Sequence, residues 1–164
     1  MKRTLIALLS SVALALPLAA LSAGGGGGGG GGGADEAAVQ DPEFKAGMVA
    51  VKNQDWQQVV AKMGAYTQRD PGNADAWNEL GHAHRKLGDI DTALSDYDKA
   101  LKINPKHKGA HEYLGEAYLQ KGDLARAEQE LQVLDKLCFF RCEQYSDLKS
   151  EIAKYKSQQA KAGS

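Results

Sequence analysis

Pro71 recurs as Pro105, Gly81 as Gly115, Gly88-Asp89 as Gly122-Asp123 and Ala93 as Ala127, each pair 34 residues apart. A fixed period of this size marks stacked helical hairpins, because a single hairpin of that length cannot bury its apolar face alone. Within the period the apolar spacing is helical. Trp77, Leu80, Ala83 and Leu87 follow at intervals of three and four, which sets them on one stripe. Gly88-Asp89 closes that stripe, glycine supplying the left-handed residue that many helix exits use. Ile90, Ala93, Leu94, Tyr97, Ala100 and Leu101 make a second stripe. It stops at Asn104-Pro105, since the residue before proline is pushed out of the helical region. Two such helices joined by a short turn form an antiparallel hairpin. No stretch beyond residue 23 alternates with a period of two, so the spacing predicts an all-α protein.

The N-terminal part has a different character. Residues 1–23 begin with Lys2 and Arg3, run apolar from Leu5 to Ala20, contain no acid and end in small residues. This layout predicts a bacterial secretory signal peptide cut after Ala23 and an exported, periplasmic product. An uncleaved inner-membrane anchor is the competing reading, because the apolar stretch approaches spanning length. No cysteine follows the apolar run, which argues against a lipid-modified N-terminus. Residues 24–39 are expected to be a disordered linker, dominated by the ten glycines Gly24 to Gly33. Without the leader, 18 basic residues face 21 acidic ones, a net of −3, with no basic run. Nucleic acid and anionic membrane surfaces are therefore poor partners. Two cysteines in an oxidising compartment lead to the expectation of a disulfide.

With Trp77 taken as the fourth residue of a unit at 74–107, the marks are Trp77, Leu80, Gly81, Ala93, Tyr97, Ala100 and Pro105. In these small and large positions the chain resembles the tetratricopeptide repeat. The unit at 108–141 carries His111, Leu114, Gly115, Tyr118, Ala127 and Leu131 in the same places. A degenerate unit at 40–73 carries Gly47, Val59, Met63, Tyr66 and Pro71. It opens on Asp41-Pro42-Glu43, which offers an N-cap, a proline at the first helical position and a first-turn acid. Helices are expected near 42–52 and 56–69, around a turn, Asn53-Gln54-Asp55, that lacks the glycine of the others. The register continues to Tyr145, Leu148 and Ile152, which predicts a capping helix over 142–159 and a frayed tail at 160–164. The expected fold is a short right-handed solenoid of three helix-turn-helix hairpins plus this C-terminal capping helix.

The resemblance implies that the first helices of the units line a concave groove. Family positions map onto Phe44 and Met48 in the first unit and onto Asn78, His82, Arg85 and Lys86 in the second. In the third they fall on Glu112, Glu116 and Leu119. A groove running from apolar through basic to acidic suits an extended peptide or partner helix of matching order. The pattern lacks the paired Lys/Asn set with which some members clamp a terminal carboxylate. Arg85 and Glu116 are expected to be exposed, so that alanine at both would leave folding nearly intact.

Cys138 stands at the unit position of Asp70 and Asn104, and Phe139 replaces the proline that follows them. A Cys138–Cys142 disulfide would do the work of that corner, with a helix break near Phe139-Phe140. A thiol-redox or soft-metal pair is the alternative, although the spacing is not that of the familiar redox motif. His82, His84, His107 and His111 lie within thirty residues of one another, without carboxylate or thiol at convincing ligand spacing. No phosphate loop, nucleophile motif or paired carboxylates in an evident cleft mark an enzyme. The residues thus point to a non-catalytic protein-binding module (an adaptor, assembly factor or chaperone-like protein) that needs no cofactor. A periplasmic thiol-redox or metal-handling protein using Cys138 and Cys142 is the rival. Self-association through the apolar first unit is a third reading.

Overall fold

A computed structural model describes residues 41–140 and 142–162. The expected signal peptide (1–23) and glycine-rich linker (24–39) lie outside the described residues. Seven helices follow in order: α1 Pro42–Lys52, α2 Trp56–Arg69, α3 Ala74–Lys86, α4 Ile90–Ile103, α5 Lys108–Gln120, α6 Leu124–Leu137 and α7 Glu143–Ala162. Among the described residues there is no strand, and no helix is long and apolar enough to cross a membrane.

The capping chemistry repeats with the chain. Asp55, Asp89 and Asp123 each accept the backbone N–H three residues on, at 3.1, 3.2 and 3.0 Å, and so start α2, α4 and α6. Asp41 starts α1 in the same manner, with bonds from the Glu43 and Phe44 N–H groups. The turns before Asp55, Asp89 and Asp123 each need a left-handed residue. Gly88 (φ 87°) and Gly122 (φ 78°) fill it in the second and third hairpins, and Gln54 (φ 56°) fills it in the first.

Packing follows from small residues at the helix crossings. A Cβ on Gly81 would come within 2.8 Å of the Tyr97 ring, and one on Gly47 within 2.8 Å of Met63. Gly115 is approached instead by Leu148 of α7, whose Cδ2 would lie 2.6 Å from an added Cβ. The last helix therefore seats directly on the third unit, with Leu148 and Ile152 buried beside Leu119, Ala127 and Leu134. It also runs through 160–162, where fraying was expected. Ala160, Lys161 and Ala162 all favour helix, and a Lys156–Glu128 ion pair ties α7 to α6.

The unit corners differ in chemistry. At the first, Asp70 accepts the Gly72 N–H and the Trp77 Nε1–H donates to the Pro71 carbonyl at 2.9 Å. At the second, Asn104 accepts the Lys106 N–H and His111 Nε2 donates to the Pro105 carbonyl at 3.0 Å. At the third, Cys138 ends α6 in an extended conformation and is bonded to Cys142, with Cα atoms 5.6 Å apart. Phe139 and Phe140 stand almost fully exposed at this corner, edge to face.

Candidate functional site

Helices α1, α3, α5 and α7 each touch the next of that set, whereas α2, α4 and α6 do not meet one another. The stack consequently bends toward the first set, which forms its inner, concave layer. All nine residues expected to face a partner lie on α1, α3 and α5.

Their depths vary. Met48 is 40% exposed and Lys86 is exposed. Phe44 is buried in the first unit, its ring 5.2 Å from that of Tyr66. Leu119 is buried under α7. Asn78, Arg85 and Glu112 are also buried, while His82 and Glu116 are partly so. The expectation of solvated charges at Arg85 and Glu116 is corrected by this arrangement. Arg85 Nη1 donates to Glu116 Oε2 at 2.6 Å, with 4% of the arginine side chain exposed. Its Nε lies 3.4 Å from the Tyr97 hydroxyl and its guanidinium sits over the Tyr113 ring. Removing Arg85 would leave Glu116 half-sunk without its cation, a core change and not a surface one.

An aromatic column crosses the layer. His82 stacks between Trp56 at 4.9 Å and Tyr113 at 4.3 Å. The other histidines are each held by an acid. His84 pairs with the buried Asp96 at 2.7 Å. His107 caps α5 by accepting the Ala110 N–H at Nδ1, which leaves Nε2 to donate to Asp75 at 2.8 Å. His111 bonds through both ring nitrogens, to Glu130 at 2.7 Å and to the Pro105 carbonyl. Burial pulls the His111 pKa down, but these two acceptors outweigh it and hold it above the ordinary value. Among the described residues, no group of three or more His, Cys, Asp or Glu is placed to hold a metal ion.

Toward the C-terminal end the layer becomes acidic. Burial, then the carboxylates of Glu116, Asp147 and Glu143, push the Glu112 carboxyl up to about 8 against the pull of Arg85. Glu112 was placed on the groove from its unit position. Asp147 and Glu143 on α7 are not marked by the repeat register, since their proximity to Glu112 depends on how α7 docks. The column residues Trp56 and Tyr113 were also missed. They flank the groove positions, and only the packing of α2 and α5 against α3 brings them to His82.

Residues 74–107 match one tetratricopeptide repeat profile and residues 96–129 match a second. The chain is 38% identical over 53 residues to FK506-binding protein-like of Mus musculus, across 32% of this chain and 15% of that protein. It spans 15% or less of the length of the curated relatives it matches. Among solved structures it superposes on the TPR2B domain of yeast Sti1 in its complex with pHsp70, with a TM-score of 0.65 and 19% identity, covering 71% of this chain and 94% of that one. It also superposes on the Yersinia enterocolitica type III secretion chaperone SycD bound to a peptide of the translocator YopD. There the TM-score is 0.64 at 19% identity, covering 71% of this chain and 92% of that one. The period, the capped hairpins and these matches agree on a tetratricopeptide-like solenoid of helical hairpins, with residues 74–129 matching the repeat profiles.

Proposed function

We propose that this chain is a non-catalytic protein-interaction module that holds a peptide or partner helix along the concave layer of α1, α3 and α5. The observation that carries the reading is the layer itself. Its three helices carry an apolar edge at Met48, His82 with its aromatic neighbours, and the carboxylates of Glu112 and Glu116. Graded chemistry of this kind on a rigid concave surface suits an extended ligand with matching segments. Further support comes from the two structural neighbours, whose complexes are with pHsp70 and with a peptide of the translocator YopD. An adaptor, assembly factor or chaperone-like role follows, exercised after export to the periplasm as the leader suggests.

The test is selection of a displayed random peptide library on the folded protein, followed by amide chemical-shift mapping of an enriched peptide. Shifts concentrated on α1, α3 and α5 are expected. Shifts confined to α2, α4 and α6, or no enriched peptide, would overturn the reading.

A further inference from the structure

Three buried polar atoms among the described residues have no hydrogen-bond partner: Asn78 Oδ1, His82 Nδ1 and Gln144 Oε1. They belong to α3 and α7, the two inner-layer helices that flank α5. Two of them are carbonyl oxygens, which can only accept. Asn78 is 4% exposed, and its amide lies 3.6 Å from where Gly109 would carry a Cβ, one helical turn before Glu112. One helical turn along α5 from Gly109 begins the acidic end of the groove. Glu112 is buried on α5, and no hydrogen bond or ion pair among the described residues engages its carboxyl. Glu143 and Asp147 form an exposed rim above it on α7. The cation that opposes them, Arg85, is already spent on Glu116. Lys154, which also feels Asp147, is bonded to Glu151.

Buried acceptors left without donors cost free energy unless something supplies the donors. A surplus of carboxylates around one committed arginine calls for positive charge. Both shortages are met by one group, a planar guanidinium or an ammonium that brings several N–H donors together with its charge. We propose that the α3–α5–α7 end of the groove is a pocket for a cationic side chain of the partner polypeptide, arginine above all, with Glu112 and Asp147 taking the charge and Asn78 Oδ1 a donor. The assignment rests on the groove reading and fixes the partner's polarity at one end.

It also makes binding proton-linked. Glu112 faces Glu116 and Tyr113 of its own helix, Asp147 and Glu143 of α7, and Arg85 of α3. With its carboxyl pushed up to about 8, it carries a proton at neutral pH, and a bound cation expels that proton. Affinity for the cation therefore rises as pH climbs through 8.

The probe is three pools of acetylated, amidated twelve-residue peptides with randomised flanks and arginine, glutamine or glutamate fixed at the centre. Each is equilibrated with wild type, Glu112→Gln/Asp147→Asn and the remote control Asp135→Asn, all checked for folding by circular dichroism. The arginine pool is expected to be retained about tenfold better than the glutamine pool by wild type and the control. The double variant is expected to lose that preference, and calorimetry in buffers of different ionisation enthalpy should show proton release for wild type and the control but not for the double variant. Equal retention of arginine and glutamine pools, or preference for glutamate, would overturn the pocket while leaving the groove reading standing. Arginine preference that survives in the double variant would place the attraction elsewhere and overturn it too. No retention of any pool would overturn both.

Discussion

At its first two corners the chain turns on proline and holds the turn with side-chain hydrogen bonds; at the third it turns on Phe139 and holds it with a covalent bond. The substitution is position for position. Asp70 and Asn104 each accept the N–H two residues on, and Cys138, in their place, has no oxygen to offer and bonds to Cys142. Trp77 and His111 each donate a ring N–H to a proline carbonyl, and Tyr145, in their place, has no ring nitrogen. The repeat thus conserves the task of anchoring the corner, and different chemistry can perform it. The covalent solution also frees the turn residues from packing, which leaves Phe139 and Phe140 in solvent.

The difference can be broken from several sides. The largest effect is expected at Leu148, fully buried against Gly115. Leu148→Ala should lower stability by about 3 kcal/mol, read as a drop in the denaturation midpoint. A loss smaller than that caused by cutting the disulfide would mean that the clip, and not the packing, holds α7. Cutting it with Cys138→Ser/Cys142→Ser should cost about 2 kcal/mol. Amide exchange should quicken in α7 and stay unchanged in α3. Uniform quickening would deny that the bond acts locally.

At the first corner, Trp77→Phe keeps a ring beneath Lys99, which lies 4.0 Å from the indole, and removes the donor to Pro71. About 1 kcal/mol should be lost, and an unchanged midpoint would show that the bond adds nothing to the corner. The smallest effect separates the two proline corners by pH. His111 has its pKa raised in the folded state, so its contribution is complete below about 6.5 and fades as pH rises through the higher folded value. Trp77 does not titrate, so the first corner should be indifferent over that range. Proton NMR titration of His111 giving a value at or below 6.5 would remove the distinction.

Much of this architecture is legible in the letters. Period, stripe and cap coincide, so the helices at 42–52 and 56–69 match α1 and α2. The left-handed turn residue is spelled as glycine at two sites and concealed as Gln54 at the third, where the turn between capped helices imposes the conformation. Depth is less legible. A helical position gives the direction of a side chain, but burial depends on the neighbouring layer. Arg85 and Glu112 sink because Gly81 lets α4 approach α3 and Gly115 lets α7 settle on α5. The acidic rim is hidden in the sequence for the same reason, being divided between helices whose separation in the chain says nothing of their contact.

The aromatic column carries a practical consequence. The chain has two tryptophans, and one of them, Trp56, is stacked on His82 in the concave layer. Imidazole, particularly when protonated, quenches indole emission on contact. In a Trp77→Phe background the protein becomes a single-tryptophan reporter, and any ligand that shifts His82 will change its indole emission without a label.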